Sequence, residues 1–133
     1  MKLNILIIIL LSAFLHSSVL AQSAGFQKLN GKWEAVNSEN QNVGLEVIDS
    51  SKIFLAYGQE KKPITSFNAD FSKSPVWFDF TVDDGSDNIT IKSILLFIND
   101  NLVQWQVFQG DAVRPAHFTE DKGEIIYLRR KKE

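Results

Sequence analysis

From residue 31 onward, apolar and polar positions alternate in short runs instead of recurring every three or four residues. A period of two marks strands, whose side chains point by turns to opposite faces of a sheet. Val76-Trp77-Phe78-Asp79-Phe80-Thr81-Val82-Asp83 is the clearest case, with Val76, Phe78, Phe80 and Val82 on one face and Trp77, Asp79, Thr81 and Asp83 on the other. The first set is expected to point inward, leaving Trp77 outside. In Val103-Gln104-Trp105-Gln106-Val107 the apolar residues are expected to line the interior and both glutamines to face solvent. The run 52–58 divides into Ile53, Leu55 and Tyr57 against Phe54 and Ala56, and neither set is polar, so this strand is covered on both sides or bulged. Eight runs are read in all: 31–37, 43–49, 52–58, 63–71, 76–83, 89–98, 102–109 and 123–130. Turn-rich breaks separate them at roughly ten-residue spacing, the pattern of an all-β sandwich or barrel. Residues 23–30, ahead of the first run, are the one segment read as a short helical turn.

The connections are short, which favours an antiparallel meander. Asn99-Asp100-Asn101 is read as a hairpin in which Asn or Asp takes a positive φ. Residues 83–88 form a second turn, rich in oxygen but without the spaced carboxylates and closing glutamate of a calcium loop, so it is read as a solvated hairpin. A meander of eight strands has two edges that invite aggregation, and pairing the first strand with the last removes both. The expected fold is therefore an all-β, eight-stranded antiparallel up-and-down barrel. A barrel of this size is filled by its own side chains or holds one small ligand.

The N-terminus reads as an address. Met1 and Lys2 precede an apolar run from Leu3 to Leu15, and Val19 and Ala21 occupy the third and first places before a cut ahead of Gln22. A retained anchor needs about 20 apolar residues, and Ser17 and Ser18 interrupt too soon. The expected division is a signal peptide over 1–21 and one domain over 22–133, secreted or periplasmic, without a lipid anchor and with no membrane span after processing.

Composition narrows the chemistry. The 133 residues include no cysteine, which excludes disulfides, thiolate metal sites and a cysteine nucleophile. Formal net charge is −2, so no basic excess drives nucleic-acid binding, and the Arg129-Arg130-Lys131-Lys132 ending reads as a solvated tail. Loss of the leader takes His16 and leaves His117 as the sole imidazole, with no partner group evident for base catalysis. No enzyme activity, cofactor or metal is expected. Asn88-Ile89-Thr90 is a glycosylation sequon, expected to stay unmodified in a host that does not glycosylate such sites.

Leu29-Asn30-Gly31-Lys32-Trp33 resembles the Gly-x-Trp opening of the lipocalin superfamily. In that family the Trp closes the barrel end and packs against an Arg of the last strand. The resemblance implies Arg130 as the partner of Trp33, with Arg129 second. The order of 29–36, Lys73-Ser74-Pro75 with Asp79, the Asn99 hairpin and Arg114-Pro115-Ala116-His117-Phe118 is similar to a secreted bacterial lipocalin-like domain of uncharacterised function. Gly31, Trp33, Pro115, Phe118 and Arg130 are its structural motif positions. The place before Phe118, often acidic in that domain, is His117 here, and no ligand class carries over.

Two readings of the interior stay open. The chain holds 10 Phe, three Trp and two Tyr. Phe67, Phe78, Phe80 and Trp105 either form a packed core or line a pocket for a small apolar or amphipathic ligand. Arg114 either ties a loop to backbone carbonyls or Asp111, or clamps an anion at the barrel mouth. The alternative function is a non-enzymatic envelope interaction module with a solid core, using the outward Trp77.

Overall fold

The computed structural model describes residues 22–36, 42–83, 85–108 and 113–133. The expected leader over 1–21, together with Asn37, Asp84, Gln109 and Asp111, lies outside the described residues. Eight strands follow one another: β1 (Gly31–Ala35), β2 (Val43–Asp49), β3 (Lys52–Tyr57), β4 (Glu60–Asp70), β5 (Val76–Asp83), β6 (Asn88–Asn99), β7 (Leu102–Phe108) and β8 (Ile125–Arg130). Each pairs antiparallel with its neighbour, and β1 pairs with β8, so the sheet is a closed eight-stranded up-and-down barrel. A helix, α1, covers residues 22–29.

Strand limits differ from the sequence pattern where a turn decides them. β4 starts at Glu60 because Tyr57 pairs with Glu60 across a two-residue turn, Gly58-Gln59, with Gly58 at a φ of 64°. β8 starts only at Ile125, because a 3-10 turn at Glu120–Lys122 and Gly123, at a φ of 146°, interrupt extended geometry. The β6–β7 hairpin forms at Asn99-Asp100-Asn101 without a left-handed residue. No non-glycine residue among those described has positive φ, and Asn99 Oδ1 accepts from the Asn101 amide at 2.8 Å instead.

The same device recurs around the barrel. Asp49 Oδ1 accepts from the Ser51 and Lys52 amides, Asp70 Oδ1 from Ser72, and Asp83 Oδ1 from Gly85. Each carboxylate at a strand end fastens the turn that follows, which is why Asp and Asn stand at those places. The hydrogen bonds from Ser51 and Ser72 hold the Asp49 and Asp70 carboxyls below their ordinary value.

One end of the barrel is plugged. Leu29 of α1 is 1% exposed, and Phe26 packs edge-on against Phe71 and Phe67 of the β4 end, at 5.0 and 5.4 Å between centroids. Gly25 permits that approach, since a Cβ there would lie 2.3 Å from the Phe71 ring. Trp33 Nε1 donates to the Leu29 carbonyl at 2.8 Å, and the Arg130 guanidinium stacks 4.2 Å over the Trp33 ring. Arg130 also donates to the carbonyls of Lys28 and Asn30 at the end of α1 and to Asp100 in the β6–β7 turn. The Lys28 carbonyl is one that a helix end leaves without an intrahelical partner. Gly31 is obligatory between them: its φ is 120°, and a Cβ would sit 2.9 Å from Arg130 Nη1. The Gly-x-Trp opening thus has a physical cause in the space and backbone that Arg130 needs.

From the plug, a chain of rings rises through the interior. Phe67 meets Phe78 at 6.5 Å, Phe78 stacks on Phe80 at 5.3 Å, and Phe80 meets Trp105 at 5.9 Å. Leu45, Val103, Leu95 and Leu128 fill the space around them. Each fully buried ring or branched side chain contributes about 1.5–3 kcal/mol before ordering entropy is subtracted.

Two expectations follow. Arg130→Met keeps much of the stem but loses the stacking and three charge-assisted bonds, and chemical denaturation should show a loss of about 2–4 kcal/mol; Arg130→Lys should recover only a minor part, lacking the fork. The Asp49 and Asp70 carboxyls have folded values below the ordinary 3.8, so the stability they supply is complete above that pH. It drains away as pH falls from 3.8 through the lower folded values. Denaturation midpoints in acid should show a flatter dependence below pH 3.8 in the Asp49→Ala/Asp70→Ala double variant than in the parent.

Candidate functional site

The other end of the barrel is open. There the strand pairing brings together the start of β2, the end of β3, the middle of β5, the start of β6, the end of β7 and the start of β8. They border a cavity of about 520 Å³ that is open to one side. Leu55, Phe80, Ile91, Trp105 and Ile126 form its apolar walls, with Val43 and Val107 beside them. Tyr57, Lys122, Gly123 and Glu124 stand at the rim. The walls are inward positions of their strands, fixed by pairings such as Phe80 with Ile91 and Trp105 with Ile126.

The rim is placed by residues 113–124, the described part of the β7–β8 connection, which run over the outer wall as a strap. By alternation Ile94, Gln106 and Phe108 point outward, yet they are 0%, 0% and 2% exposed. Gln106 is therefore not a solvent-facing residue, in contrast to the reading from alternation. Its amide donates to the carbonyls of Thr119 and Gly123, both at 2.6 Å, and its Oε1 accepts from the Thr119 amide at 3.2 Å. A buried primary amide can satisfy several backbone groups at once, and here it stands in for a missing strand pairing.

Arg114 is the second fastening. It donates to the Ser93 carbonyl at 2.8 Å, meets Asp79 Oδ2 at 2.6 Å and lies 4.5 Å over the Trp77 ring. The guanidinium is thus on the outer wall, tied to Asp79 and not positioned at the barrel mouth, and this corrects its assignment as a ligand contact. Trp77 faces outward as alternation requires and is 42% exposed, with Lys73 Nζ 5.2 Å from its ring as well. Pro115 and Phe118 are half-buried in the strap, and His117 is exposed there.

Of the four interior aromatics read as one wall, the structure brings only Phe80 and Trp105 to the cavity. Phe67 and Phe78 belong to the packed half, where Phe78 is fully buried and Phe67 faces α1. Leu55, Ile91 and Ile126 escaped notice as site residues because ring content was followed. The signal that finds them is position: each is an inward residue toward the mouth end of its strand.

The Trp105 indole has a further property. Its Nε1 is buried and has no hydrogen-bond acceptor. No family model, curated protein or solved structure matches the chain. The site therefore rests on its own geometry: an apolar-walled cavity, open at one end, with Tyr57, Lys122 and Glu124 at its rim.

The strap should yield before the barrel does. Gln106→Leu leaves buried backbone groups of Thr119 and Gly123 unmet at a cost of about 2–4 kcal/mol. Arg114→Met strands the Asp79 carboxylate, at about 1–3 kcal/mol given its partial exposure. Hydrogen exchange should quicken in residues 113–123 in both variants while β2–β3 amides keep their protection; uniform loss of protection would contradict a separately fastened strap.

Proposed function

We propose that the protein is a secreted or periplasmic, non-enzymatic lipocalin-like carrier that holds a small apolar or amphipathic molecule in the open half of its barrel. The observation that carries the reading is the cavity of about 520 Å³ walled by Leu55, Phe80, Ile91, Trp105 and Ile126. Its size falls in the range of small-molecule sites, and such sites are mostly apolar with few polar groups. The division of the barrel supports it too. The plugged end carries the closing bonds, so the open end can leave its apolar walls unfilled. A cavity lined by apolar side chains forfeits packing contacts that larger residues would have made. An occupant restores them.

The alternative, an interaction module with a solid core, draws on Trp77. That ring is already attended by Arg114 and Lys73, so less of it is offered to a partner.

Titration with anilinonaphthalene sulfonate tests the proposal. The folded protein should enhance and blue-shift its emission at saturating stoichiometry near one. Ile91→Trp, which fills the cavity from β6, should weaken binding about tenfold or more without altering the far-ultraviolet circular dichroism. A folded protein that excludes this probe and uncharged hydrophobic probes alike has no usable cavity, and the proposal then fails.

A further inference from the structure

We propose that the ligand carries an uncharged oxygen acceptor, a ketone, ester or amide carbonyl, that receives the hydrogen bond of Trp105 Nε1 from within the cavity wall. The inference rests on the reading of the cavity as the binding site and adds the chemistry of its occupant.

The chain has three tryptophans, and their indole donors have different fates. Trp33 Nε1 donates to Leu29 in the plug, and Trp77 is partly exposed to water. Trp105 is 1% exposed, lies between Leu95 and Ile126 in the sheet and packs against Phe80. Its donor is the one that meets neither protein nor solvent. Leaving a buried N–H unmet is costly, so an indole donor at this depth is stabilised by any occupant that brings an acceptor. Ser93 Oγ, on the inward face of the neighbouring strand, donates to the Phe78 carbonyl and makes no hydrogen bond to Trp105 Nε1.

The same ring forms part of the cavity wall. We place the acceptor in this cavity, beside the Trp105 side chain that borders it. Charge is disfavoured at that depth. The walls are Leu55, Phe80, Ile91 and Ile126, and the rim holds the lining cation, Lys122, beside Glu124. A carboxylate buried against Trp105 would lack a counter-charge, whereas a carbonyl needs only one donor. The occupant is therefore an amphipathic molecule that enters carbonyl-first, with any charged group left at the rim.

A matched pair of probes tests this: methyl naphthyl ketone and ethylnaphthalene, nearly equal in shape and differing in the carbonyl. Binding is measured on the full folded domain by calorimetry. Proton–nitrogen correlation spectra follow the Trp105 indole, assigned through its neighbours Leu95 and Ile126. The ketone should move the Trp105 indole proton downfield and the hydrocarbon should not. The ratio of ketone to hydrocarbon affinity should fall about tenfold in Trp105→Phe, a comparison in which the ketone's own desolvation cancels. If that variant does not fold, the spectra of the unaltered protein decide. Binding of both probes with no ketone-specific shift at Trp105 overturns the inference and leaves the carrier reading standing. Failure of both probes to bind overturns the carrier reading and this inference with it.

Discussion

A closed meander stands or falls on one seam, the pairing of its first strand with its last. Here that seam is short. Trp33, Glu34 and Ala35 pair with Arg130, Arg129 and Leu128, and the Lys131–Glu34 ion pair lies on its outer side. Three rungs joining residues about a hundred positions apart repay a large loop-closure entropy only with help. Arg130 supplies it by joining Trp33 of β1, the end of α1 and the β6–β7 turn through one planar group. A lysine cannot do so, because three acceptors and an indole face lie in the directions of a guanidinium fork and plane.

Closure at one end frees the other. With α1, Phe26 and Leu29 filling the space under Phe67, the aromatic chain is anchored from below. The upper half then needs no plug. Residues 113–124 of the β7–β8 connection are drawn across the outer wall by Gln106 and Arg114. They bury Ile94 and Phe108 as a thin outer layer, and Lys122 to Glu124 among them become the rim. The two ends of the barrel thus differ in kind: one is held by polar bonds to carbonyls, and the other is an apolar hollow.

The limits of sequence reading fall along the same division. Val76 to Asp83 reads correctly residue by residue, because a strand with one face on the core and one on water shows its period openly. Phe80 and Trp105 are recognisable as interior residues for the same reason. Gln106 misleads because its outer face is covered by a segment distant in sequence, and polarity in a short run cannot report a cover of that kind. Arg114 misleads in a similar way: its partner Asp79 is 35 positions away, on a strand whose outer face alone decides where the guanidinium can rest.

Alternation along the chain determined the strand number, the inward set and, through turn spacing, the antiparallel order. Gly31, Trp33 and Arg130 were marked as the closing seam through the resemblance of Leu29 to Trp33 to the Gly-x-Trp opening, since their contact joins the two ends of the barrel sequence. Which interior side chains pack and which border a hollow was decided only by the tertiary structure. That distinction depends on depth along the barrel, a coordinate set by stagger and by the plug, and residues of one hydropathy such as Phe78 and Phe80 lie on opposite sides of it.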